Sequence, residues 1–433
     1  MSIISSGTRF RQVYSDDDDG RCVMSRYGWK NALATSAVLA IAGCGGGDNL
    51  STSGPHHVSD IAVPNVAAGV NFSFDIGTVL GSRYYFTDRN NASLDEIDIP
   101  SNSFVKAIQG SGPLAFTGLG PGPSSQSGPD GATPVGNLIY VGDVNSVKIV
   151  DPASGVVKSK ITVSTTGVRA DEGCLDPTHG IFMISSPEET PPFATFINTT
   201  TQTIVAKVTF TDSAGQPTAG LEACRYDPAS DNFYVNVDGS TANPHGELVK
   251  LPGASIRAIP SGGTQNYTTL AGVAMYPEGN CDPTGLALGP GNDIAVGCRE
   301  GTTGAPLLMQ IFNRSNGALL TSLNAGGGDQ LEYDPPTNRY YNAASRWTSS
   351  GNASTNGACS AASPCTPVLT IVDAGTRTVV ARLNTGNNAH SVAVDPATGL
   401  IFVPYSSATS PAGCPACAAN GFVNGGVSVF AAK

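Results

Sequence analysis

Charge is scarce in this chain. Asp, Glu, Lys and Arg supply only 13% of its 433 residues, about half the usual share. That scarcity argues against long solvated helices, while 40% hydrophobic residues argue against a disordered chain. No basic run occurs and the net charge is −11, which disfavours nucleic acid and anionic lipid surfaces as partners. Cations, sugars and other proteins fit an acidic surface. The G-x-S-x-G elbow, the phosphate loop and HExxH are all missing. Turn residues, by contrast, are plentiful, with 52 Gly and 30 Pro. At that density, mixed with Val, Ile, Thr and Tyr, they predict many short strands.

Long apolar runs are also missing. The one at residues 31–42 is too short to span a membrane as a stable helix. Arg26 and Lys30 precede it, and Ile41-Ala42-Gly43-Cys44 ends it. This is a short apolar segment behind a basic one, and its end resembles the lipobox of bacterial lipoproteins. The resemblance implies that residues 1–43 are a signal region, that Cys44 is acylated, and that the mature protein starts there. Met24 heads a more ordinary signal than Met1, because Asp16 to Asp19 do not belong in a basic segment. Residues 44–57 are Gly/Ser/Asn-rich and read as a flexible tether. Gly45 after the Cys, by the same resemblance, implies an outer-membrane anchor facing the periplasm.

From residue 58 to 433 one unit recurs. Its clearest part is a hairpin whose first strand ends in Asp or Asn and whose second is rich in Val and Lys/Arg. Asp98, Asp151, Asn198, Asn313 and Asp373 mark five copies, and Leu251 marks a weaker one, Leu248-Val249-Lys250-Leu251 with Ile256-Arg257-Ala258. These anchors are 53, 47, 53, 62 and 60 residues apart, which suits four-stranded propeller blades. The other half of the unit carries Asp176-Pro177, Asp227-Pro228, Asp334-Pro335 and Asp395-Pro396, a turn chemistry in which Pro presets φ and a later Gly or Asn accepts positive φ.

Strands such as Tyr140-Val141-Gly142-Asp143 and Tyr234-Val235-Asn236 resemble the YVTN family of propellers. The resemblance implies an all-β, seven-bladed β-propeller of four-stranded antiparallel blades. The expected blades are roughly 66–110, 127–164, 168–211, 218–262, 278–325, 326–385 and 387–433. The last lacks an outermost strand, and His57-Val58-Ser59-Asp60-Ile61-Ala62-Val63 is expected to supply it, removing an exposed edge.

Leaving out Cys22 and Cys44, eight cysteines remain, an even number that reads as disulfides in an exported chain. Cys281 and Cys298 flank a hairpin with its turn near Pro290-Gly291-Asn292 and are expected to pair. Cys174 and Cys224, at the inner strands of adjacent blades, are placed to bridge them. Cys359, Cys365, Cys414 and Cys417 pair locally or with one another, the rival reading being a four-thiolate zinc site. Cys414-Pro415-Ala416-Cys417 lacks the His that c-type haem attachment needs.

Five residues before each Asp-Pro the chain reaches the channel mouth on the loop-rich face. Asp171, Glu222, Asp329 and His390 hold that position, with Thr284 in blade five and Glu172, Glu278 and Asp282 nearby. Asp171, Glu222 and Asp329 are the candidate ligands of a divalent cation, Ca2+ or Mg2+ by their hard oxygens. His390, Glu172 and Trp347 are candidate binding residues. The primary expectation is an envelope-anchored binding or protein-interaction scaffold for a protein, glycan or small molecule. The alternative is a metal-dependent hydrolase or lyase, similar to propeller lactonases in arrangement though without a motif match.

Overall fold

The computed structural model describes residues 54–298, 307–351, 364–409 and 414–433. Cys44, Cys359 and the segment 299–306 therefore lie outside the described residues. The chain forms seven antiparallel blades of four strands around a central channel, blade three carrying an additional fifth strand. The inner strands are Phe74–Leu80, Ala132–Val135, Gly173–Asp176, Leu221–Asp227, Pro283–Leu288, Leu331–Asp334 and Ala393–Asp395.

The recurring Asp or Asn anchor builds the outer hairpin in five of the blades. Its carboxylate or amide oxygen accepts backbone N–H bonds from the turn, as Asp151 does from Ala153 at 3.1 Å, Asn198 from Thr201 at 2.9 Å and Asp373 from Thr376 at 2.7 Å. Such a side chain replaces a backbone partner within the turn. The Asp-Pro turns work likewise: Asp176 accepts from Thr178 and His179.

Blade four departs from the expected boundaries of 218–262. Leu251 has no oxygen with which to hold a turn, and Pro252 follows. The chain instead enters a short helix, Gly253–Arg257, where a strand was expected around Ile256-Arg257-Ala258. It next runs beside the outer strand of blade three as Gly263–Asn266, in parallel, and only then supplies the outer strand of blade four, Ala274–Pro277. The closing strand is where it was expected: His56–Ala62 pairs antiparallel with Gly426–Ala431, Asp60 opposite Ser428.

The core is divided among the seams. Each of seven apolar clusters joins neighbouring blades, for example Tyr140, Ile149, Phe182 and Ile197 between blades two and three, and Tyr84, Phe86 and Phe402 between blades seven and one. The tyrosine of the repeat drives this packing, Tyr84 stacking on Phe402 with ring centres 4.8 Å apart. Ion pairs reinforce the seams at the turn-bearing rim: Arg314 to Asp227 at 2.9 Å and Arg377 to Asp293 at 2.8 Å.

Disulfides join Cys174 to Cys224 and Cys281 to Cys298, with Cα separations of 5.7 and 4.5 Å, and Cys414 to Cys417. Cys365 is also disulfide-bonded. Cys414 and Cys417, bonded to each other, do not serve as zinc thiolates.

Candidate functional site at the channel mouth

Six blades bring the same repeat position to the mouth. Asp75, Asp130, Asp171, Glu222, Asp329 and His390 each stand five residues before the end of an inner strand. In blade five the Thr284 hydroxyl donates to Gly328 O at 2.9 Å. Asp75 and Asp130 were missed in the sequence because their hairpins close with two-residue turns, Leu80 facing Arg83 and Val135 facing Leu138, and carry no Asp-Pro marker.

The predicted ligands Asp171, Glu222 and Asp329 do not form one set. Among the described residues, ligating atoms come within 4.8 Å of one another in three groups: Asp75, Asp329 and His390; Asp75, Asp130 and Asp171; and Asp176, His179 and Asp231. Glu222 belongs to none of these but lines the same 510 Å³ cavity as Asp75, Asp329 and His390. The third group lies at the opposite rim, where Arg257 already occupies it, 2.6 Å from Asp231 and 3.6 Å from Asp176.

Arginines were the larger omission. Arg89 ion-pairs with both Asp75 and Asp130. Arg169 reaches Asp171 at 2.9 Å, Glu188 at 3.1 Å and Asp130 at 3.5 Å. Repulsion among these clustered carboxylates is thus partly met by guanidinium groups, well suited to buried carboxylates because they are planar and weakly hydrated. The signal was present, since Arg89 directly follows the second strand of its blade and Arg169 lies two residues before Asp171. Burial still dominates at Asp171: desolvation pushes its carboxyl up to about 7, against the pull of Arg169. Burial likewise raises Asp130, with Arg89 and Arg169 opposing.

Glu172 turns into the channel below the mouth. It lines a 230 Å³ space with Gln330, Arg225 and Glu332, and burial followed by repulsion from Asp171 and Glu222 raises its pKa well above the ordinary value. Trp347 is not displayed to a ligand. It is buried with Leu307, Ala344 and Val368, and the Arg382 guanidinium lies 4.9 Å from its ring. It therefore packs the chain just after Ala344 onto its own blade. His390 is at the mouth, stacked on Phe74 with ring centres 4.5 Å apart and planes 9° from parallel.

The fold thus defines a seven-bladed β-propeller with a charged, loop-rimmed mouth. Solved structures agree on the fold. A chain from the crystal structure of a mitotic checkpoint complex superposes with a TM-score of 0.54 at 11% identity, covering 93% of this chain and 98% of its own. The WD40 domain of Pan2 from Neurospora crassa gives 0.50 at 8% identity, covering 85% and 90%. No protein-family model and no curated protein matches the sequence.

Proposed function

We propose that this protein is an envelope-anchored binding scaffold that takes its ligand at the loop-rich mouth of the channel. Propellers often serve as interaction platforms, and fold alone does not choose among functions. The observation that carries the reading is the mouth itself: a 510 Å³ cavity in which charges of both signs, from Glu222, Asp329, Arg89, Arg169 and Arg346, converge from several blades. Such a lining suits a polar partner, a protein loop or a glycan. Acylation at Cys44 and a YVTN-type envelope role follow from the N-terminal and repeat resemblances. A divalent-metal-dependent hydrolase or lyase is the second reading, favoured by the closeness of Asp75, Asp329 and His390.

A photo-crosslinker placed at Ser345, on the mouth, is compared in cells with one at Lys158, on an outer strand of blade two. Discrete adducts from the mouth position alone support the scaffold. Equal adducts from both positions, or none from either, overturn it.

A further inference from the structure

We infer that the carboxylate of Glu172 binds a small organic ammonium ion inside the channel, in the 230 Å³ space below the mouth. The site is separate from the mouth cavity and does not rest on the scaffold reading.

The argument starts from the side chains that cross the channel. Gln330, from blade six, donates to Gly77 O of blade one at 2.8 Å and to Glu332 Oε1 at 3.0 Å. Its own oxygen accepts from Gly77 N at 3.3 Å and Val392 N at 3.2 Å. Arg225, from blade four, donates to Leu331 O of blade six at 3.2 Å and to Cys224 O at 2.9 Å. It also lies 3.5 Å from Glu332 and gives that carboxylate its counter-charge. Together these groups form a bar across the channel whose donors go to backbone oxygens and to Glu332.

Glu172, from blade three, lines the same space and is left out of that pairing. It is only 6% exposed. Asp171, Glu222, Asp75 and Arg225 act on its carboxyl through space, and none of them forms a hydrogen bond with it. A carboxylate so deeply buried and unpartnered is costly. A charged donor entering the space beside it relieves that cost through a charge-assisted hydrogen bond.

The rest of the space selects the donor. Glu172 and Glu332 face one guanidinium there, that of Arg225, so a single positive charge completes the balance. Ile76, Ala132, Pro134 and Leu175 add apolar wall, which suits a hydrocarbon tail. A hard metal ion would instead need several oxygen ligands. The volume exceeds the roughly 150 Å³ that admits benzene, so a tail of a few carbons fits.

The test is calorimetric titration of the full-length protein with n-butylammonium chloride, beside n-butanol as the uncharged probe and potassium chloride as the probe without a tail. One butylammonium per chain is expected, with butanol and K+ each weaker by about tenfold or more. Glu172→Gln keeps the shape of the side chain and removes its charge. It should weaken butylammonium about tenfold or more, the loss expected for one hydrogen bond to a charged group. If the melting curve of Glu172→Gln departs from the wild type, the comparison of the three probes on the wild type decides alone. No butylammonium binding, butanol or K+ bound as tightly, or an isotherm unmoved by a folded Glu172→Gln overturns the site. Failure here leaves the Ser345 crosslink and the scaffold untouched, and failure of the crosslink leaves this site standing.

Discussion

Replacing Glu278 by Gln should make the protein relatively more stable as pH rises. Glu278 follows the outer strand of blade four and is 1% exposed. Neither of its carboxyl oxygens has a hydrogen-bond partner. Burial, then repulsion from Glu247 and Asp238, raises its pKa well above 4.5. Glu247 gives no relief, because it is itself an acceptor for Tyr267 at 3.0 Å, Ser240 at 3.0 Å and Asn243 at 2.6 Å. Folding therefore takes up a proton at Glu278. The group weighs least on stability below pH 4.5, and its cost grows as pH rises toward the folded pKa. One proton of linkage is worth about 1.4 kcal/mol per pH unit. The Gln variant removes that slope. Its unpaired amide adds a pH-independent cost on the order of 1–3 kcal/mol, so the readout is the change of the difference with pH. Denaturant unfolding of both proteins at pH 4, 5, 6 and 7 should show the difference moving in favour of Gln by up to about 1.4 kcal/mol per unit above 4.5. A difference that stays constant from pH 4 to 7 would refute the reasoning.

Three further outcomes are expected. Cys281→Ser/Cys298→Ser should lose on the order of 3 kcal/mol, as the chain-entropy model gives for a loop of about 17 residues, and non-reducing peptide mapping should recover that pair in the wild type. Asp60→Pro should open blade seven, since Asp60 pairs with Ser428 and also accepts its hydroxyl at 2.8 Å; Pro within a ladder removes a donor, and limited proteolysis should then release the segment before residue 74. A fatty-acid analogue fed to cells should label the wild type and not Cys44→Ala, and equal labelling would remove the lipid anchor.

Most of the propeller was legible because its signals are local and repeated. An Asp that holds a turn, a Gly or Asn past it and a tyrosine on the next strand recur blade after blade. Blade four was misread because the same reasoning was pressed onto Leu251-Pro252, which cannot make that turn. The mouth was half legible. Asp171, Glu222, Asp329 and His390 were found by counting from Asp-Pro, whereas Asp75 and Asp130 sit ahead of Gly81 and Gly136 turns whose positive φ needs no such marker. The guanidinium partners were legible in position but not in pairing. Arg89 serves Asp130 across a blade boundary, 41 residues away, and pairing of that kind depends on how one blade packs on the next rather than on neighbouring sequence.

The detour of blade four gives the ring an unequal girdle. The strand Gly263–Asn266 leaves its own blade to lie on blade three, and the Cys174–Cys224 bond ties the same two blades at the channel. Blades three and four thus behave as one riveted plate, stitched at both rim and hub. The seam between blades seven and one is held differently, by the packing of Tyr84 and Phe86 on Phe402, while His56–Ala62 completes blade seven from within. Asp171 and Glu222 ride on the plate at a fixed spacing. Asp75, Asp329 and His390 ride on blades one, six and seven, so the mouth divides into a half carried on the tied plate and a half carried on separately packed blades.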